Sequence, residues 1–148
     1  MIPLVTACGG GSSSASCEQP IREELDPASL THVIDVDDAR FRTNPPTSGP
    51  HIAGALPSGI VRAPIPGAVQ VAILEGGNVL VQYDPSVSST DVDQLAGLVA
   101  DEVVVALNYD LPSPIVATAW TYKLTCDAVD LDALDEFIGA HAGAAIGH

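Results

Sequence analysis

The chain is predicted to fold as α+β, with a single sheet that has a central hairpin and carries helices mainly on one face. Three observations predict this class. Apolar residues alternate with other residues on both sides of a glycine turn between 69 and 83, and an unbroken apolar run follows at 103–107. Apolar residues also recur at the spacing of one helix face after Thr90 and after Asp130. A chain of 148 residues is long enough to bury the core of one domain. We therefore expect a flexible segment at 1–18 and a single domain at 19–148.

The first half of this domain is predicted to be mostly irregular. The acidic stretch 21–25 is compatible with one or two helical turns, and the β-branched residues of 32–36 predict a strand. Six prolines between 44 and 67 predict a long loop, because proline fixes φ and lacks an N–H donor. We expect this proline-rich loop to lie on the core, since it also contains Ile52, Leu56, Ile60 and Val61.

The second half is predicted to alternate strands and helices. The alternation on both sides of the turn at 75–78 predicts the central hairpin. Thr90 is the expected N-cap of a helix with one apolar stripe. The run at 103–107 predicts a strand covered on both faces. A further strand is expected at 115–125, and Asp130 is the expected cap of a last helix.

The charge balance excludes two classes of partner. Five Lys and Arg stand against 19 Asp and Glu, for a net charge of -14. Nucleic acids and anionic membrane surfaces are bound by clustered cationic side chains, so neither is an expected partner through charge. Such a surface is self-repelling and soluble, and it also attracts cations.

The N-terminal segment indicates a lipid anchor. Residues 5–8 read VTAC, which resembles a bacterial lipobox, and the Gly/Ser run 9–14 is typical of a flexible tether. Only seven residues precede Cys8, fewer than the basic and apolar regions of an export signal need, so we expect the true start to lie upstream. We predict that Cys8 is lipidated and that the protein is held at the cell membrane, facing outside the cytoplasm. The alternative is a disordered tail with a free thiol.

Two further cysteines, Cys17 and Cys126, form an even pair if Cys8 is lipidated. Export favours a disulfide between them, and two reduced thiols are the alternative. A cysteine metal site is disfavoured, because the chain has no C-x-x-C spacing.

Several stretches, in order, resemble one bacterial family. Residues 45–51 read PPTSGPH, residues 74–77 read LEGG, and residues 117–120 read ATAW. Over about residues 32–141 the chain resembles domain of unknown function 3105. The family's fuller second block reads His-x-x-Glu-His-Gly, which looks like a metal or acid/base constellation. Ala72 and Gly76 stand at its two histidine positions, so the resemblance implies a degenerate site.

His51 and Glu75 are the residues of this constellation that the chain retains, and they are our candidate metal or ligand residues. A histidine can act as a ligand or general base beside a carboxylate. The structural alternatives are that His51 orders the proline-rich loop and that Glu75 accepts N–H groups at the hairpin tip.

Other polar and aromatic residues are expected to be structural. Thr47 and Ser48 belong to no recognisable nucleophile arrangement and are expected to stabilise turns. The residues expected to serve folding alone are His32, His141, Trp120 and Tyr122, with the last two on the same face of one strand.

These features favour a non-enzymatic, lipid-anchored binding or interaction module, and we assign no catalytic residue. Its expected partners are the membrane, through the anchor, and an unknown protein or small ligand. One alternative is a copper- or zinc-handling surface protein that uses His51 and Glu75 together with an Asp or another His. A second alternative is a metal-assisted hydrolase. No cofactor is expected beyond such a divalent or copper ion.

Overall fold

The computed structural model describes residues 16–144. The predictions made for Cys8 and for the Gly/Ser segment therefore lie outside the described residues. The described part contains one six-stranded mixed sheet and three α-helices, which confirms the α+β class. The strands are Ile21–Arg22 (β1), Ile60–Val61 (β2), Val79–Tyr83 (β3), Val103–Leu107 (β4), Ile115–Ala119 (β5) and Tyr122–Cys126 (β6). The α-helices are Gly67–Glu75 (α1), Ser89–Ala96 (α2) and Leu131–His141 (α3).

The sheet has the order β1-β6-β5-β3-β4-β2. β3 and β4 are parallel and joined through α2, as parallel neighbours require a crossover connection. β5 pairs antiparallel with β3 and with β6. The two-residue strands β1 and β2 close the edges, and such short edge strands limit pairing with other chains.

The two faces of the sheet are covered by different elements. Val79, Val81 and Tyr83 of β3 pack in one cluster, to which α2 and α3 contribute residues such as Phe137. Leu80 points the opposite way, as alternation along a strand requires, into a second cluster with α1. We call the first side the apolar face and the second the α1 face. Two of the three described helices thus share one face.

The hairpin predicted at 69–83 is wrong in its first half, because residues 67–75 form α1. Six of the nine residues of α1 are buried, and a helix that is apolar nearly all round shows no helical period in its sequence. Its short apolar run therefore reads equally well as a strand. The predicted turn instead ends the helix, where Gly77 has a φ of 86°.

The strand predicted at 32–36 is also wrong. His32 makes only an isolated parallel bridge to His51, and Val36–Asp38 forms a 3-10 helix. The Asp35 side chain accepts a hydrogen bond from Asp37 N, a local bond that competes with strand pairing. Residues 21–25 begin with edge strand β1 and contain no helical turn.

The segment 115–125 is two strands and not one. β5 and β6 are joined at Trp120 and Thr121, and Thr121 has a φ of 64°. Trp120 therefore packs on the α1 face and Tyr122 on the apolar face, so their predicted common face is wrong.

The remaining elements follow the sequence more closely. The strand at 103–107 and the Asp130 cap are confirmed. α2 begins earlier than expected, with Ser88 in place of Thr90 as its cap. A long loop separates Asp38 from α1, broken only by β2. Its buried apolar residues include Ala39 and Ile65, whereas Leu56 and Ile60, which were expected to lie on the core, are exposed.

A disulfide joins Cys17 to Cys126. Cys126 is the last residue of β6, so the bond fastens the segment before β1 to the final strand. It closes a sequence separation of 109 residues.

Candidate metal site

The two candidate residues, predicted on a loop and at a hairpin tip, come together in the structure. Glu75 is the last residue of α1, and His51 ends the PPTSGPH segment. Nε2 of His51 lies directly against Oε2 of Glu75. The expected proximity of the two side chains is therefore present, although a helix terminus supplies the carboxylate.

Backbone hydrogen bonds fix the position of His51. Its N–H donates to Thr31 O at 3.1 Å, and its carbonyl accepts from Val33 N at 2.9 Å. The next residue, Ile52, donates to Ala68 O in α1 at 3.2 Å. These bonds tie the end of the loop both to the strand-like segment at His32 and to the helix that carries Glu75.

The loop before His51 is itself buried, and hydrogen bonds to neighbouring segments fix its position. Ser48 Oγ accepts from Asp26 N at 2.9 Å, and Thr47 Oγ1 donates to a Glu23 oxygen at 2.7 Å. Gly49 has a φ of 132° and faces the Phe41 ring, so a side chain there would be strained. Thr47 and Ser48 thus have positioning contacts of the kind expected from the sequence.

The hydrogen bonds of His51 define which ring nitrogen is available to a ligand. Nδ1 lies 3.0 Å from Gly49 O, and a carbonyl oxygen only accepts, so Nδ1 carries a proton. In the neutral ring Nε2 then holds the lone pair, and it points at a carboxylate oxygen. Two acceptors face each other there unless a cation, either a proton or a metal ion, lies between them.

His32 is a third member of this cluster, which the sequence did not reveal. Its ring lies edge-on to that of His51, with centroids 4.7 Å apart and planes at 83°. His32, His51 and Glu75 each offer one ligand atom, and these atoms all lie within 4.8 Å of one another. His32 is exposed, whereas His51 is 2% exposed, so the cluster has a buried side and a side open to solvent. The sequence predicted a folding role for His32 and did not anticipate this proximity to His51 and Glu75.

Two imidazoles and one carboxylate make a donor set that fits Zn²⁺ or Cu²⁺. Three protein ligands with a fourth position open to solvent is the pattern of accessible zinc sites. The bond from Nδ1 of His51 to a backbone carbonyl is the usual outer contact of a metal-binding histidine.

The two positions at which the resemblance implies lost histidines lie close to Glu75 in the structure. Ala72, Glu75 and Gly76 are spaced so that they share one side of the end of α1. The histidines that the resemblance would place at 72 and 76 would flank Glu75 there. His32, from a different segment, supplies the second imidazole instead.

The other candidate residues are apart from this cluster. His141 in α3 stacks between Tyr122 and Phe137, with ring centroids 4.4 and 4.6 Å away. Burial lowers the pKa of His141, which favours its neutral form. These contacts fit the packing role expected for it.

A second polar centre, around Glu23, was not anticipated from the sequence. Burial raises the pKa of the Glu23 carboxyl, but hydrogen bonds from Thr47, Lys123 and Thr43 together outweigh burial and lower the pKa below its ordinary value of 4.5. The Lys123 Nζ to Glu23 Oε2 distance is 3.0 Å. Glu23 therefore ties β1 to both β6 and the proline-rich loop.

Within residues 16–144, no helix is long and apolar enough to cross a bilayer.

Comparison with known proteins gives one match. No curated protein and no solved structure matches the chain. A family model described as "Protein of unknown function (DUF3105)" matches residues 32–147, which include His32, His51 and Glu75. The resemblance drawn from the PPTSGPH loop is confirmed, and the chain belongs to the DUF3105 family.

Proposed function

We propose that this protein is a lipid-anchored, extracytoplasmic and non-enzymatic binding module whose ligand is a divalent transition-metal ion, Zn²⁺ or Cu²⁺. His32, His51 and Glu75 are its proposed ligands. The observation that supports this assignment most directly is that their three ligand atoms lie within 4.8 Å of one another. This proposal joins the binding-module and metal-handling hypotheses and supplies the additional histidine that the second one requires.

The way the ligands are held supports metal binding. His51 and Glu75 come from a hydrogen-bonded loop end and a helix end, so neither needs to be ordered when an ion arrives. The ion would lie between Nε2 of His51 and the carboxylate and bind both of these acceptors. His32, on the exposed side, would complete the set and leave one position for water or for a partner that receives the ion.

The charge of the chain supports the same ligand class. A net charge of -14 raises the local concentration of cations around the domain and speeds their arrival. Selectivity for a transition metal over calcium or magnesium would come from the two imidazoles, because hard cations prefer oxygen ligands.

The proposed location rests on two features of the N-terminal segment, the lipobox-like motif at 5–8 and the disulfide at Cys17. The lipobox-like VTAC and the Gly/Ser run support lipidation at Cys8. The Cys17–Cys126 disulfide supports an oxidising compartment, where such bonds persist. Two acyl chains on one cysteine would satisfy the requirement for stable membrane attachment.

Metal binding is tested on the full chain purified without a histidine tag. We expect elemental analysis to find one zinc or copper ion per chain. We expect His51→Ala to abolish stoichiometric binding. In a chelator competition, His32→Gln and Glu75→Gln should each weaken it by at least about 10- to 100-fold, which is the loss caused by removing an outer-shell partner. His141→Gln is the matched control, because His141 lies outside the cluster, and it should bind like the parent. A parent protein that binds neither metal, or an H51A variant that binds as well as the parent, would overturn the proposal.

A gain of affinity provides a second test. Gly76 has a φ of -70°, which any residue can adopt, and a Cβ there would meet only the Asn78 amide nitrogen closely, at 3.1 Å. We expect Gly76→His to tighten zinc binding by adding a ligand beside Glu75, and Gly76→Ala to leave it unchanged. Equal affinities for the two variants would argue against a metal position at this helix end.

The anchor is tested separately, by metabolic labelling with a palmitate analogue. The full-length protein should be labelled and recovered with membranes, and Cys8→Ser should be unlabelled and released. A labelled, membrane-bound C8S variant would exclude Cys8 as the anchor and leave the metal proposal intact.

A further inference from the structure

We propose that a cavity between the Arg40–Asn44 segment and the start of α1 is a second binding site, for a small organic anion that carries a carboxylate or phosphate group. The cavity has a volume of about 500 Å³, which is within the usual range for small-molecule sites. It shares no lining residue with the His32, His51 and Glu75 cluster. The inference therefore does not depend on metal binding.

The first argument is the distribution of positive charge. The chain has five Lys and Arg in all, and two of them, Arg40 and Arg42, line this one cavity. One carboxylate, that of Asp110, also lines it, so the cavity is net cationic on a chain of net charge -14. The surrounding field repels anions, so an anion that binds here must be held by these local groups.

The second argument is that Arg40 is already positioned. Its Nη1 donates to the carbonyls of Asp37 and Ala39, at 2.6 and 2.9 Å. These two bonds use one nitrogen of the guanidinium and leave the Nε and Nη2 edge, the pair of donors that binds a carboxylate or phosphate bidentately. The Arg42 side chain forms no hydrogen bond or ion pair with the other described residues. It also lines a smaller neighbouring cavity with Glu23, Glu24 and Asp26, so it lies between an acidic cavity and the cationic one.

The third argument comes from a chain of buried carboxamides at the cavity. Asn108 donates to Gln82 at 2.9 Å, and Gln82 donates to Gln70 at 3.1 Å. Gln70 then donates to Ile65 O at 2.7 Å. Gln70 and Asn108 both line the cavity, and each amide nitrogen has a second hydrogen beyond the one used in the chain. The Gln70 oxygen accepts from Gln82 and the Asn108 oxygen accepts from Asp110 N, so each amide keeps one N–H and one lone pair for a ligand. The two guanidinium groups, which only donate, therefore decide that the ligand is an acceptor-rich anion.

An acceptor-rich anion fits this arrangement best. The donors are two guanidinium groups and two amide nitrogens, and the apolar part of the lining comes from Phe41, Ile65 and Pro46. We therefore assign a ligand with an anionic head and a small apolar body. A neutral molecule of the same shape would leave the arginines without a counter-charge.

The test is a titration of the full chain, stripped of metal with EDTA, followed by backbone amide resonances. Benzoate is the organic-acid probe, benzamide is its neutral match, and inorganic phosphate tests the head group alone. We expect benzoate to shift the amides of Arg42, Gly67 and Asn108 and benzamide to leave them unchanged. We expect Arg42→Gln and Arg40→Gln each to weaken benzoate binding about tenfold, as loss of a charge-assisted bond predicts. Arg62→Gln is the control, because Arg62 is exposed and does not line the cavity.

Each outcome decides the proposal. Binding of phosphate without benzoate supports an anion site and assigns its head group to phosphate. Equal binding of benzoate and benzamide overturns the proposal, since recognition would then be apolar. No shift with either anion, or equal weakening by R62Q and R42Q, also overturns it, and none of these results bears on metal binding at His51.

Discussion

The two faces of the sheet differ in the kind of residue they bury. On the apolar face, Val81 of β3, Ala117 of β5 and Phe137 of α3 belong to one apolar cluster, in which Tyr83 is the buried residue that carries a hydroxyl. On the α1 face, β3, β5 and β6 place Gln82, Thr118 and Lys123, all buried. Burial of apolar area stabilises a fold without direction, whereas buried polar groups require partners at fixed positions. The apolar face therefore holds the domain together, and the α1 face carries the proposed chemistry.

The largest loss of stability should come from removal of the disulfide, whose Cys126 belongs to the apolar cluster. We expect the double variant Cys17→Ser/Cys126→Ser to lose about 4–5 kcal/mol of unfolding free energy, because a loop of about 110 residues is no longer closed in the unfolded chain. Urea unfolding measures the loss. Cys8→Ser should unfold like the parent, and a double variant as stable as the parent would contradict a structural role for the bond.

The next effect is expected within the apolar face itself. Phe137 is 2% exposed, and Phe137→Ala should lower the free energy of unfolding by about 3–5 kcal/mol through lost burial and a residual cavity. Leu30→Ala, at a side chain 78% exposed, should change it by less than about 0.5 kcal/mol. The zinc affinity of folded F137A should equal that of the parent. A marked fall in that affinity would show that the two faces are not independent.

On the α1 face, replacing a buried polar side chain should lower the free energy of unfolding mainly because its hydrogen-bond partners are left unsatisfied. Gln82→Leu removes the middle amide and leaves the Gln70 oxygen and the Asn108 nitrogen without their bonds, so we expect a loss of about 2–3 kcal/mol. Thr118→Val is the control on the neighbouring strand, because its hydroxyl makes only a 3.4 Å contact with Leu80 O. If Q82L were as stable as T118V in urea, the amide network would contribute nothing to the fold.

The smallest effect is a dependence of stability on pH, set by Glu23. Its pKa in the folded protein is below the ordinary 4.5, so its contribution is present above that value and is lost as the pH falls through the folded pKa. Glu23→Gln should therefore unfold more easily at neutral pH and show a weaker loss of stability in acid. Unfolding in urea at neutral pH and below pH 4.5 measures both quantities.

The control for this last prediction is Glu24→Gln, at the exposed neighbour. Its acid dependence should match that of the parent. If E23Q and the parent lost stability equally in acid, the hydrogen bonds to Glu23 would not stabilise the folded state.

The sequence predicts the parts of this fold that local chemistry determines. The β-branched run at 103–107 and the Asp130 cap each carry their own signal, and both are present in the structure. The α1 helix could not be distinguished from a strand, because it is short and buried nearly all round. The single sheet was expected. Its β5–β6 hairpin was not, because the turn between these two strands is made at one residue, Thr121, whose φ is positive.

The candidate site was half visible in the sequence. His51 and Glu75 were identified through the PPTSGPH loop and the second block. His32 was not, because a single bridge between two irregular segments brings it to His51, and no spacing in the chain encodes that contact. The carboxamide chain from Asn108 to Gln70 was hidden for the same reason, since its members come from α1, from β3 and from the segment after β4.

The most direct measurement of the central claim is the imidazole nitrogen spectrum of the ¹⁵N-labelled protein, recorded as one equivalent of Zn²⁺ is added. The account predicts that Nε2 of His51 and one nitrogen of His32 move to metal-bound positions. Nδ1 of His51 should keep the proton that it donates to Gly49 O, and His141 should not change. Unchanged spectra for His32 and His51, or a change confined to His141, would contradict it.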